Sequence, residues 1–121
     1  MSKNNLPKGK LGEDLASNFL KEKGYRIIDR NFHSRTGEID LIATNKGILV
    51  FVEVKTRWNA SYGRPEESVT PWKIKSIISA AQYFKLLHPE LPEALQIDVV
   101  AVELDERNQS KTITHLQNVT G

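Results

Sequence analysis

The sequence predicts an α/β fold in which a mixed central sheet is flanked by a helix on each side. Three observations lead to this prediction. An amphipathic helical segment comes first, three strand-like segments follow it, and a second helical segment separates these from two further strands. The predicted order is α-β-β-β-α-β-β. With 121 residues, the chain is expected to form one domain over residues 10–121, after a flexible tail at residues 1–9.

The first helix is predicted over residues 10–23, where apolar side chains recur at helical spacing before Gly24 ends the helix. Glu13 lies at the edge of the apolar arc, so its carboxylate can reach towards the sheet. Gly12 lies inside the arc and indicates a close approach between the helix and its neighbour.

Three strands are predicted next, over residues 25–32, 37–43 and 48–56. The run Asn45-Lys46-Gly47 between the last two is typical of a tight hairpin. The third strand is apolar on both faces from Ile48 to Val52, so we expect it at the centre of the sheet, covered on both sides.

The second helix is predicted from Pro71 to about Leu87, with Thr70 as its N-cap and Pro71 in its first position. Strands over residues 95–104 and 112–119 complete the predicted sheet. The loop over residues 58–69 is long for a compact domain, and loops of this length are often functional.

The composition excludes several classes of protein. The chain has no cysteine, which excludes disulfides and thiolate metal sites. Its apolar runs are too short to span a membrane, and its first ten residues lack the apolar stretch of a signal peptide. We therefore expect a cytoplasmic protein without a membrane partner. The net charge of +2 permits nucleic-acid binding but does not indicate it.

Charged residues near the ends of two neighbouring strands are the main functional signal. Glu53, Lys55 and Arg57 share one face of the third strand, and strand pairing could bring Asp40 close to them. Two carboxylates that can hold a hard cation, beside an ammonium group, suit phosphodiester hydrolysis. Alternating charges on a strand more often form a solvated face with ion pairs. The buried run before Glu53 and the acid on the first helix favour the site instead.

Glu13, Asp40 and Glu53-Val54-Lys55 resemble the PD-(D/E)xK nuclease superfamily, whose core is an αβββαβ unit with acids on the first helix and second strand. Ile39 stands where the superfamily name implies proline. A closer resemblance is to the bacterial YraN-like family, which has no settled function and is assigned to that superfamily by its fold. It extends over about residues 11–102, and its motifs are Lys10–Glu13, Gly37–Ile42, Phe51–Arg57 and Asp98–Ala101.

The resemblance implies a restriction-endonuclease-like, three-layer fold and a nuclease that depends on Mg²⁺ or Mn²⁺ and acts on DNA. Branched or junction DNA is one candidate substrate, and a homodimer is one candidate assembly. By the same resemblance Asp40, Glu53 and Lys55 would be catalytic, with Lys55 orienting the attacking water or stabilising the phosphate. The metal ligands would be Glu13, Asp40, Glu53 and the backbone carbonyl of Val54.

A nucleic-acid contact surface is expected around the same end of the sheet. Its candidate residues are Arg57, Trp58, Tyr62, Arg64, Lys73 and Lys75. Each has a plainer alternative: an ion pair for Arg57, packing over the sheet for the two aromatic residues, and a solvated basic rim for the others.

Two more acids leave alternatives open. Glu38 could assist the metal or pair with an arginine, and Asp98 could pair with a lysine or lie near the metal site. Two further functions also stay open: a nucleic-acid-binding module that has lost catalysis, and a subunit of a DNA repair or uptake complex. A pure binding module has little reason to keep acids facing phosphates, which mildly favours the nuclease.

Overall fold

The computed structural model describes residues 8–58, 69–107 and 109–121. Over these ranges the helices and strands follow in the predicted order α-β-β-β-α-β-β. Their bounds are α1 (Lys8–Glu22), β1 (Arg26–Ser34), β2 (Gly37–Asn45), β3 (Ile48–Arg57), α2 (Pro71–Leu87), β4 (Ala94–Leu104) and β5 (Ser110–Leu116).

The strands form one mixed sheet in the order β1-β2-β3-β4-β5. All neighbours are antiparallel except β3 and β4, which are parallel because α2 carries the chain back between them. The strand β3 lies in the centre of the sheet, as predicted.

Two apolar cores make this a three-layer α/β fold, and the predicted fold class is confirmed. The α1-side core contains Ala16, Leu20, Tyr25, Leu41, Ala43, Val50, Val52, Val100, Val102 and Leu104. The α2-side core contains Ile39, Ile42, Leu49, Phe51, Ile77, Ala80, Ala81, Phe84 and Ile97. Because successive side chains of β3 enter opposite cores, its apolar run is buried on both faces, as the sequence indicated.

Element boundaries differ from the predictions at several ends. The helix α1 begins at Lys8, two residues earlier than predicted, and residues 1–7 of the expected tail lie outside the described residues. The strand β5 ends at Leu116, before the predicted end at residue 119. The reason is Asn118, whose φ of 51° is left-handed and whose amide N–H donates to the Asp98 side chain. In the described part of the chain no helix is long and apolar enough to cross a membrane.

Gly12 brings α1 close to the sheet, as its place in the apolar arc predicted. A Cβ atom at this position would overlap the side chain of Thr56 on β3. Glycine is therefore required for the helix to rest at this distance, and this distance sets how far Glu13 projects over the sheet.

Asp98 is fully buried on the α1 face of β4 and is completely paired. It accepts hydrogen bonds from Nε2 of His115 at 2.8 Å, Nε2 of Gln96 at 2.8 Å and the amide of Asn118 at 2.9 Å. Nδ1 of His115 lies 2.6 Å from Nζ of Lys23. Since an ammonium group can only donate, Nδ1 accepts and Nε2 carries the proton given to Asp98. Asp98 is thus paired with histidine rather than directly with lysine, and it lies on the face opposite Glu53.

Candidate active site

The candidate site lies where β2 and β3 separate. Their backbone pairing runs from Asn45 and Ile48 to Leu41 and Val52 and stops there. Beyond that point the carboxylate of Asp40 takes the place of a backbone partner, because its Oδ2 accepts the amide N–H of Val54 at 2.7 Å. The opening between the strands therefore fixes the position of the first predicted catalytic acid.

Glu53 is buried beside this opening, with 4% of its surface exposed. Its Oε2 lies 3.5 Å from Nζ of Lys55 and 3.6 Å from Nζ of Lys73. Lys73, predicted to contact nucleic acid, lies in the first turn of α2 and approaches the buried acid. Burying a carboxylate is costly unless cations or donors compensate it, and here two ammonium groups do so.

Asp40 and Glu53 are close enough to alter each other's chemistry. Burial raises the pKa of Asp40 to about 7, the hydrogen bond from Val54 opposes this rise, and the neighbouring Glu53 carboxylate adds to it. The pKa of Asp40 therefore lies near neutral pH, and two adjacent acids of this kind favour a positive charge beside them.

Glu13 approaches the pair from α1. Burial raises the pKa of Glu13, and the charge of Asp40 raises it further, while hydrogen bonds from Asn31 and Arg30 oppose the rise. Nη2 of Arg30 lies 3.6 Å from Oε1 of Glu13 and 2.7 Å from Oδ1 of Asp14. Asn31 has a left-handed φ of 54°, which is unusual within a strand. Arg30 and Asn31 were missed in the sequence because nothing marks a polar pair on an edge strand as facing an acid on a distant helix.

The donor chemistry of the site fits a hard divalent cation. Carboxylate and carbonyl oxygens are the ligands that Mg²⁺ and Mn²⁺ prefer. In an extended strand the N–H and C=O of one residue project from the same edge, so the Val54 carbonyl also faces the opening beside Asp40. Within residues 8–58, 69–107 and 109–121, no three Asp, Glu or His side chains lie close enough together to hold an ion. Asp40 and Glu53, beside the Val54 carbonyl, are the adjacent acids of this site, and Glu13 approaches them from α1.

The other predicted residues lie in different surroundings. Arg57 is paired, with Nη2 3.9 Å from Oε1 of Glu103. Trp58 packs against the α1-side core, which agrees with the packing alternative. Lys75 is exposed on α2. Tyr62 and Arg64 lie outside the described residues.

Glu38 does not join the site. Its Oε2 lies 2.9 Å from Nδ1 of His33 across the β1–β2 pair, and both side chains are exposed. The expected arginine partner is therefore replaced by a histidine, because the register sets His33 directly opposite Glu38.

Sequence comparisons identify relatives of this chain. A family model described as "Uncharacterised protein family UPF0102" matches residues 12–102, a span that includes every candidate acid of the site. A UPF0102 protein of Chloroherpeton thalassium is 49% identical over 106 residues, covering 88% of this chain and 82% of that protein. One from Syntrophomonas wolfei is 44% identical over 110 residues, covering 91% and 94%. One from Persephonella marina is 40% identical over 111 residues, covering 92% and 90%.

Proposed function

Since the chain belongs to the uncharacterised protein family UPF0102, the YraN-like family that its motifs resemble, its function must be argued from its site, and we propose a metal-dependent nuclease that acts on DNA. The observation that carries this proposal is the adjacency of Asp40 and Glu53 at the end of the β2–β3 pairing, with Lys55 and Lys73 converging on Glu53. Two adjacent carboxylates repel each other when both are charged, and a cation held between them would relieve that repulsion.

The residues that would hold Mg²⁺ or Mn²⁺ are Asp40, Glu53 and the carbonyl of Val54, with Glu13 in support. The ion, when bound, would supply charge stabilisation for a phosphodiester and a more acidic water. Asp40 must give up its proton to serve as a ligand, and the hydrogen bond from Val54 already orients its carboxylate for this.

The two lysines would act on the phosphate. Lys55 and Lys73 each keep about a third of their side-chain surface exposed while lying near Glu53. An ammonium group in this position can turn from the carboxylate to a phosphate oxygen and stabilise the negative charge that develops during cleavage.

The test is cleavage of a DNA panel in Mn²⁺ and in Mg²⁺. The panel contains duplexes, single strands, flaps and junctions, because branched substrates are part of the proposal. We expect wild-type cutting to fall by a factor of about 100 or more in Asp40→Asn and Glu53→Gln. Glu38→Gln is the matched control, because Glu38 lies on the same strand but pairs with the exposed His33. Cleavage that is equal in all four proteins, or absent from all of them, overturns the proposal.

A direct binding measurement separates metal binding from catalysis. Isothermal titration with Mn²⁺ should give heat for wild type and Glu38→Gln, and none for Asp40→Asn. A homodimer is also part of the proposal, and sedimentation of the same protein samples measures its mass in solution.

A second candidate, a nucleic-acid-binding module without catalysis, is favoured by one observation. Glu13 is held by Arg30, and Glu53 is held by two lysines, so both acids have compensating charges without an ion. This alternative predicts DNA binding that falls with added salt, survives Asp40→Asn and is accompanied by no metal-dependent cutting.

A further inference from the structure

Two exposed aromatic side chains lie on one face of α2. Trp72 is 76% exposed and Tyr83 is 48% exposed. They are eleven positions apart in one helix, which is close to three turns, so both project from the same side at a separation of about 16 Å along the axis. A tryptophan this exposed is unusual, because its ring is normally among the most buried surfaces of a domain.

A groove of about 640 Å³ lies between this face of α2 and the turn that joins β1 to β2. Its wall is fixed by hydroxyl groups: Oγ of Ser76 donates to the Thr36 carbonyl at 2.8 Å, and Oγ of Ser79 donates to Oγ1 of Thr36 at 2.8 Å. A Cβ atom at Gly37 would lie 2.7 Å from the Ser76 carbonyl oxygen, so glycine permits this contact. The groove is lined by His33, Ser34, Arg35, Thr36, Ser79 and Tyr83.

Two positively charged side chains belong to the elements that border the groove. Arg35, in the turn, and Lys75, on α2, are both exposed. Neither forms an ion pair with any residue that the structure describes. The ring of Tyr83 lines the groove, and the ring of Phe32 lies beside it, with 6.2 Å between the ring centroids.

The first turn of α2 carries both Trp72 and a lysine of the candidate active site. Lys73, the residue after Trp72, lies 3.6 Å from Glu53. From there Ser76, Ser79 and Tyr83 follow at helical spacing along the groove. A molecule that began at the acid pair would therefore meet Trp72 first and Tyr83 about three turns later.

We propose that this groove and the adjoining exposed face of α2 bind an unpaired nucleic-acid strand, with bases stacking on Tyr83 in the groove and on Trp72 beyond it, and phosphates contacting Arg35 and Lys75. An exposed ring can stack only on a base whose face is accessible. A duplex hides the faces of its bases, whereas a single strand presents them. The length of the track matches about five stacked nucleotides at 3.4 Å each. This inference rests on the proposed nuclease only where it assigns the acid pair as the place of cutting. It predicts that the substrate contains an unpaired segment.

The first test uses the two tryptophans of the chain as reporters. In Trp58→Phe the remaining fluorescence comes from the exposed Trp72, and in Trp72→Phe it comes from the half-buried Trp58, which packs against the α1-side core. Titration with an oligothymidylate of about ten nucleotides, in EDTA, should quench Trp58→Phe and leave Trp72→Phe unchanged. A blunt duplex of the same length should quench Trp58→Phe at least tenfold more weakly. Equal quenching of both variants, or none, overturns the proposal.

The second test measures binding of the same labelled oligonucleotide by anisotropy. Tyr83→Ala should weaken it about tenfold, and Tyr83→Phe should restore it, because the ring and not the hydroxyl provides the platform. Arg35→Gln should reduce the slope of log K against log salt by about 0.7, the value for one lost phosphate contact with a single strand. Arg26→Gln, an exposed arginine at the other end of β1, is the matched control. An effect of Arg26→Gln equal to that of Arg35→Gln overturns the assignment.

The two proposals fail in different ways. Single-strand binding in EDTA that depends on Tyr83, without any metal-dependent cutting, supports the groove and removes the nuclease. Cutting that depends on Asp40 but is unchanged by Tyr83→Ala and Trp72→Ala, on single strands and duplexes alike, supports the nuclease and removes the groove.

Discussion

Nζ of Lys73 on α2 lies 3.6 Å from Oε2 of Glu53 on β3, so the helix that follows β3 in the chain places a positive charge beside that strand. Both side chains lie at the place where β2 and β3 separate. The contact joins the α2 layer to the acid pair, and several measurable properties depend on it.

Removing this lysine should make Asp40 harder to ionise. Burial is the main reason for the raised pKa of Asp40, about 7, and the positive charge of Lys73 works against it. In Lys73→Met the pKa of Asp40 should therefore rise further. The measurement is a pH titration of the Asp40 carboxyl carbon by NMR.

Lys75→Met is the control for this titration, because Lys75 lies on the same helix but faces solvent. It should leave the Asp40 titration as in wild type. A pKa of Asp40 that is unchanged or lower in Lys73→Met would contradict the assignment.

Asp40→Asn should stabilise the fold at alkaline pH. The folded pKa of about 7 lies above the ordinary value of 3.8, so the contribution of Asp40 is fully present below 3.8 and is lost as pH rises through 7. Asparagine has no charge to bury and can still accept the Val54 amide. We expect the variant to exceed wild type by about 2 kcal/mol at pH 8, and the gain to shrink towards pH 4. Urea unfolding at both pH values measures this, and a variant that is less stable at pH 8 would contradict it.

Asp98 should have the opposite dependence on pH. Burial acts to raise the pKa of Asp98, but hydrogen bonds from His115, Asn118 and Gln96 outweigh it and hold the pKa below 3.8. Its stabilisation is therefore present above 3.8 and is lost as pH falls below that value. Asp98→Ala, which leaves buried donors unpaired, should lower the free energy of unfolding by about 3–5 kcal/mol at pH 6. Urea unfolding should show a smaller difference in the free energy of unfolding between Asp98→Ala and wild type at pH 3 than at pH 6. An equal difference at the two pH values would refute the assignment.

Gly12→Ala should destabilise the protein by about 1–3 kcal/mol, because the new methyl group overlaps the side chain of Thr56. The double variant Gly12→Ala with Thr56→Ala should recover most of the loss. Gly9→Ala is the matched control in the same helix, since a Cβ there meets only the Glu13 carboxylate at 4.0 Å. Thermal unfolding of the four proteins checks the prediction, which fails if Gly9→Ala costs as much as Gly12→Ala.

The fold and the acid pair could be predicted because they follow from local patterns. Apolar periodicity placed the elements, and the run through Val52 placed β3 in the centre. Alternation along β3 and a short hairpin to β2 then predicted that Asp40 would lie near Glu53.

The partners of these acids could not be predicted, because they come from elements distant in sequence. Lys73 approaches from a helix whose rotation about its axis depends on core packing, and Arg30 from an edge strand with an irregular register. The exposure of the Trp72 side chain was not predicted for the same reason. The helical pattern gave no sign that its ring would be exposed while Trp58 packs against the α1-side core.

The separation of β2 from β3 also has a consequence for the order of folding. These two strands are joined by a short hairpin, whereas β3 and β4 pair residues 46 positions apart, such as Ile48 and Ala94. Local hairpins form early, and pairings between distant segments form late. Asp40 and Glu53 are therefore expected to meet before α2 delivers Lys73, so that the early hairpin holds two acids with Lys55 beside them but without their second positive partner. A lower pH in the refolding buffer, which protonates one of the two acids, should speed formation of the β2–β3 hairpin.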